Sequence, residues 1–193
     1  MSSKKKILPR ITPNRDSKYM GLAWIHASFS KDPNTQVGAQ IVSHKNVPLG
    51  SGYNGPPRSI DDASFSWERP PKDNPNAFSK YDVIIHAEIN AVDKAICNGY
   101  RSELPNAILY VTAMPCPKCI LELSLHSINR IIYMDYQSSK SSTLQNTEWR
   151  EKTFHIAELA GINLELFTGS IDWLADWTAH MKELGVFEMA PNT

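Results

Sequence analysis

With three cysteines in 193 residues, the chain lacks the thiols for a disulfide framework. It also lacks any apolar run approaching the length of a membrane span or of a signal-peptide core. Net charge is missing too: twenty Lys and Arg residues balance twenty Asp and Glu residues. That balance argues against the basic stripe needed to grip a nucleic-acid backbone, but it permits a local pocket for a single phosphate group. No internal repeat or low-complexity block is visible. These absences point to a cytoplasmic setting, no membrane partner, and a small substrate in place of a nucleic-acid polymer. What is present, 41% hydrophobic and 21% charged residues, is ordinary for a globular chain with volume for a real core.

The chemistry concentrates in two short stretches, His86-Ala87-Glu88 and Pro115-Cys116-Pro117-Lys118-Cys119. One imidazole and two thiols supply three ligands, a count that suits a zinc ion left with one position open to solvent. Cys97 lies eleven residues past His86 on the same expected helix. At about 1.5 Å of rise per residue the gap is roughly 16 Å, so Cys97 cannot close the site as a fourth ligand. Pro117 in a first helical position makes Cys116 the cap residue and places Cys119 in the first turn. At a helix N-terminus the free N–H groups favour thiolate over thiol, the form that binds metal. Glu88 then reaches back toward the open position from the start of its own helix and serves as proton carrier. His-x-Glu followed by Pro-Cys-x-x-Cys is the pattern of zinc nucleobase deaminases. A zinc ribbon would need a second cysteine pair, and a redox pair leaves His-Ala-Glu unexplained.

Periodicity gives the surrounding frame. Residues 1–14, with Lys4-Lys5-Lys6, read as a flexible basic tail, and 15–193 as one domain. Helices are expected over 16–29, from the metal motif to a stop at Asn98-Gly99, and over 117–126, 149–160 and 171–184. Strands are expected over 36–42, 49–53, 107–112, 130–134 and 163–168, the first two as a hairpin turning at His44-Lys45-Asn46. Within the domain, 83–168 holds the metal motifs and the sheet and helix units that follow them, and 170–193 a final helix and tail. Trp173, Leu174, Trp177 and Met181 form a stripe on that helix, which reads as core or subunit contact. The polar stretch from Asn54 to Asp82, containing Trp67, Arg69, Pro70, Pro71 and Pro75, is too long for a passive connection and reads as a lid or regulatory segment.

Four blocks standing in this order carry a resemblance: Ser30-Lys31-Asp32-Pro33-Asn34-Thr35-Gln36-Val37-Gly38-Ala39, Gly52-Tyr53-Asn54-Gly55, and the two metal motifs. Over 19–161 the chain resembles the deoxycytidylate deaminases. The resemblance implies an α/β fold of the three-layer α-β-α, cytidine-deaminase-like kind around a central mixed five-stranded sheet. It implies a hydrolase that converts dCMP to dUMP with release of ammonia, supplying dUMP for thymidylate synthesis, and a homo-oligomer that is commonly a hexamer. By position, His86, Cys116 and Cys119 would hold one catalytic Zn2+ and Glu88 would be the catalytic acid and base. Asn54 would meet the sugar, Ser30 and Lys31 the phosphate, and Ala87 and Tyr136 the rest of the substrate. Family members respond to dCTP and dTTP as effectors, with Mg2+ accompanying the nucleotide, through the segment after Gly55. Pro56 before Pro57, and the tail after Gly161 in a region holding Trp149, Trp173 and Trp177, depart from the family and bear on effector response and subunit packing. Another cytosine nucleotide, dCTP or a 5-substituted dCMP, is the alternative substrate. A deaminase of tRNA or single-stranded DNA is disfavoured by the zero net charge, and a catalytically silent zinc-binding subunit by the presence of Glu88.

Overall fold

The computed structural model describes residues 12–135 and 147–183. In chain order it contains α1 (Arg15–Ala27), β1 (Gly38–Val42), β2 (Pro48–Tyr53), α2 (Ala87–Cys97), β3 (Ile108–Val111), α3 (Pro117–Ser124), β4 (Arg130–Tyr133), α4 (Thr147–Leu159), β5 (Asn163–Leu166) and α5 (Trp173–Glu183). The strands form one mixed sheet in the order β2-β1-β3-β4-β5. β1 is antiparallel to both of its neighbours, whereas β3, β4 and β5 run parallel. This is the mixed five-stranded sheet that the resemblance implies. Asn14, which composition assigns to the tail, caps α1 by accepting the Ser17 N–H at 2.8 Å. The run Lys4-Lys5-Lys6 lies outside the described residues.

Helices cover both faces because both faces of the central strands are apolar. Ala39 and Ile41 of β1, Leu109 and Val111 of β3, and Ile131 and Tyr133 of β4 pack with Ala91, Val92 and Ala95 of α2, Ile120 and Leu123 of α3, and Ala157 of α4. The alternate residues Val42, Ile108, Tyr110 and Ile132 pack with Tyr19, Met20 and Ala23 of α1. A period of two along each strand thus sorts the side chains into two layers of core. The stripe on α5 does not enter either one: α5 has no buried residue, and Trp177 is 53% exposed. Its anchor is Trp173, whose Nε1–H donates to the Ser17 carbonyl at 3.1 Å and whose ring lies against Gly21 of α1.

Close approach of α2 to the sheet brings the metal-motif helix into place. A Cβ added at Gly52 of β2 would lie 2.4 Å from the Ala87 carbonyl oxygen and 2.5 Å from the Ala91 nitrogen. Only a glycine lets the first turn of α2 seat there. Gly52→Ala is therefore expected to destabilise the fold by about 1–3 kcal/mol, the usual cost of overpacking. Chemical denaturation checks this, and a midpoint equal to that of the wild type would mean that α2 moves away freely.

Candidate active site

Two helix starts converge at the end of β3. His86 is the cap residue of α2, in extended conformation (φ −71°, ψ 153°), and its side chain makes no capping bond, so the ring is free to point elsewhere. It meets the sulfurs that lead into α3. Pro117 occupies the first turn there and Cys116 is the cap, its Sγ accepting the Cys119 N–H at 3.3 Å. This is the arrangement expected from the position of Pro117. His86 Nδ1 stands 3.2 Å from Cys119 Sγ and 3.5 Å from Cys116 Sγ, and the three donor atoms all lie within 4.8 Å of one another. An imidazole nitrogen and a thiolate sulfur bound tetrahedrally to one zinc are roughly 3.5 Å apart, given the usual bond lengths. The three residues fit that ion. Cys97 is exposed at the far end of α2, away from the cluster.

A two-residue bridge positions the rest of the site. The Gly55 N–H donates to Ile85 O at 3.1 Å and the Ile85 N–H donates to Gly55 O at 2.9 Å, which places Asn54 and His86 at adjacent corners. Asn54 also anchors the segment after α1: its Nδ2–H donates to Thr35 O at 2.9 Å and its Oδ1 accepts the Val37 N–H at 2.8 Å. Asp32 shapes the same segment by accepting the N–H groups of Asn34 and Thr35, while Lys80 Nζ donates to both of its carboxylate oxygens at 2.8 and 2.9 Å. The Lys80 and Asp32 side chains are only 3% and 4% exposed.

These pieces enclose a cavity of about 310 Å³, within the size range of small-molecule sites. His86, Ala87, Glu88, Ala113, Met114 and Cys116 line it beside the metal cluster, and Asp32, Thr35, Val37, Asn54, Arg69, Lys80, Tyr81, Ile84 and Trp149 contribute the remaining wall. Burial pushes the Glu88 carboxyl above the ordinary carboxylate range. The hydrogen bond with Cys116 raises His86 to about 9, and the proton shared between the two thiols holds Cys116 well below the usual thiol range. A donor set that binds protons this closely among its own members is chemically suited to a soft or borderline cation.

The cavity thus gathers His86, Cys116, Glu88, Asn54 and Ala87 from the residues singled out in the sequence, with Cys119 in the donor cluster behind it. Ser30 and Lys31 are not part of its wall. Ser30 is buried and its hydroxyl donates to Asn54 O at 2.8 Å. Lys31 is exposed and its ammonium pairs with Asp62. Tyr136 lies outside the described residues. Lys80 and Tyr81 carry no signal of their own in the sequence, and Trp149 is read there only as part of the departing C-terminal region; chain segments distant in number bring all three to the cavity.

Residues 13–135 match the family model described as the cytidine and deoxycytidylate deaminase zinc-binding region. The chain is 35% identical over 127 residues to the deoxycytidylate deaminase of Pongo abelii, covering 65% of this chain and 68% of that protein. It is 32% identical over 152 residues to the deoxycytidylate deaminase of Mus musculus, covering 78% of each chain. Among solved structures, the dCMP deaminase of cyanophage S-TIM5 in complex with dCMP and dUMP shares the fold with a TM-score of 0.57 at 20% identity, over 82% of this chain and 100% of that one.

Proposed function

The chain belongs to the cytidine and deoxycytidylate deaminase family, and on that premise we propose that it hydrolyses dCMP to dUMP and ammonia. The observation that carries the reading is a buried carboxylate, Glu88, in the wall of the same cavity as a His and two Cys donors. His86, Cys116 and Cys119 would hold a zinc ion, which would supply Lewis-acid chemistry there by lowering the pKa of water toward neutrality. Glu88 takes a proton from the attacking water and passes it to N3 of the cytosine ring as the new C4–O bond forms. It then takes the remaining proton from the new C4 hydroxyl, which becomes the carbonyl, and delivers it to the amine as the C4–N bond breaks. One water is consumed and one ammonia leaves, so a single carboxylate serves both directions. Asn54, held by the 35–37 backbone, and Ala87, at the start of α2, both line the cavity, and in this reading they meet the sugar and the rest of the substrate.

Oligomeric assembly, with the hexamer as the expected state, and control by dCTP and dTTP with Mg2+ through the segment after Gly55 belong to the same proposal and are supported by the resemblance. So does a cytoplasmic setting, supported by the three free thiols. Among the described residues no helix is long and apolar enough to cross a membrane.

Ammonia release from a panel of deoxycytidine, dCMP, dCTP and 5-substituted dCMP, with and without dCTP as effector, tests the assignment. The highest kcat/KM is expected for dCMP. A higher value for dCTP or for deoxycytidine would reassign the substrate within the family.

A further inference from the structure

A phosphate monoester brings nearly two negative charges into whatever site takes it. If the cavity accepts dCMP, some group in its wall must answer that charge, and Ser30 and Lys31 are not in the wall. Among the described lining residues, three side chains can carry a positive charge: His86, Lys80 and Arg69. His86 is turned toward the two sulfurs. Lys80 directs its ammonium at both oxygens of Asp32, so that buried pair contributes no net charge. Arg69 alone of the three forms no hydrogen bond or ion pair among the described residues.

Its chemistry and its position both suit an anion. A guanidinium stays charged at any working pH, and its planar fork matches two phosphate oxygens at once, whereas an ammonium offers a point charge. Arg69 is partly buried in the cavity wall, and a guanidinium without a protein partner there keeps its donors available to an anionic ligand. Arg69 immediately precedes Pro70 and Pro71, which restricts its backbone to extended conformations and limits how far it swings. The loop that carries it is tied down on its outer side by the Lys31–Asp62 ion pair, and the Phe65 and Trp67 rings pack with centroids 4.9 Å apart just before it.

We propose that Arg69 is the residue that reads the substrate's phosphate, and that Lys31 acts only indirectly, by holding the Arg69 loop through Asp62. The assignment deepens the deaminase reading and rests on it. It explains how a cavity with no other unpaired cation among its described lining distinguishes a nucleotide from a nucleoside, and it gives the long segment after Asn54 a role in selecting substrate.

The test compares equilibrium binding of the product dUMP with that of deoxyuridine, alongside kcat/KM for dCMP, in zinc-loaded full-length wild type, Arg69→Ala, Arg69→Lys and Lys31→Ala. Arg69→Ala is expected to lower both dUMP affinity and kcat/KM for dCMP by about 10-fold to 100-fold, the loss of a charge-assisted contact, so that the preference for dUMP over deoxyuridine collapses. Arg69→Lys should recover part of that preference, and Lys31→Ala should reduce it less than Arg69→Ala does. Equal weakening of dUMP and deoxyuridine in Arg69→Ala would mark Arg69 as structural and overturn the proposal. So would an unchanged preference, or a larger selective loss in Lys31→Ala. The wild type separates this from the broader reading: if it deaminates dCMP yet binds dUMP no better than deoxyuridine, only the Arg69 assignment falls, and if it deaminates no cytosine nucleotide, the deaminase reading falls first.

Discussion

Glu88→Ala is expected to leave zinc content and fold unchanged while lowering kcat for dCMP by at least about 10²-fold to 10⁴-fold, the range that general acid–base catalysis contributes. Glu88 sits in the first turn of α2, 4% exposed, in the cavity wall beside His86 and Cys116. It is not one of the three clustered donors, so its removal should take away the proton carrier and spare the metal. Glu88→Gln is the sharper variant, because it keeps the shape of the side chain and removes only its ability to exchange a proton. Steady-state kinetics with metal analysis checks both variants together. A near-native kcat in either would require another base, and the remaining carboxylate in the described wall, Asp32, is occupied by Lys80.

Cys119→Ala should have the second large effect, through the metal. Wild-type protein is expected to hold about one zinc per chain, as a three-ligand catalytic site implies. Cys119 is the most deeply buried of the three donors, 3% exposed, and its sulfur is the closer of the two to His86 Nδ1. Its loss leaves two ligands, one from each helix start, so zinc content should fall toward zero and turnover with it. Cys97→Ala is the control: its thiol is exposed at the end of α2, and both zinc and turnover should be retained. Elemental analysis of chelator-free protein decides the matter. Zinc held at the wild-type level in Cys119→Ala would remove Cys119 from the ligand set.

The donor cluster was legible in the sequence because its geometry is local. Pro117 sets the start of α3, which makes Cys116 the cap and carries Cys119 into the first turn. His86 caps α2 just before an apolar helical run that ends at Gly99, whose φ of +85° stops the helix where the sequence predicts. The sheet was legible because short β-branched and apolar runs such as 107–112 mark buried strands, and in the fold Ala39, Ile41, Leu109 and Val111 face one helical layer while Val42, Ile108 and Tyr110 face the other.

What the sequence hid depends on paths that no local pattern encodes. Lys31 lies next to the segment that borders the cavity, yet its ammonium turns outward to Asp62 on another loop. Lys80 and Asp32, 48 residues apart, meet inside the wall, and neither carries a periodic or motif signal that would pair them. Arg69 sits in a stretch without periodicity, and only the course of the chain between Asn54 and Lys80 brings it to the cavity. The stripe on α5 predicts a core or subunit contact, and within the chain it is Trp173 that packs, where Gly21 leaves room on α1. A helical period reports that one face is apolar. It does not report which surface receives it.

The most direct measurement is the product balance for purified, zinc-loaded protein given dCMP as sole substrate. One dUMP and one ammonia should appear for each dCMP consumed, and neither should form with Glu88→Gln under the same conditions. Intact dCMP after prolonged incubation with zinc-replete wild type would contradict the account, as would dUMP formation that persists in Glu88→Gln.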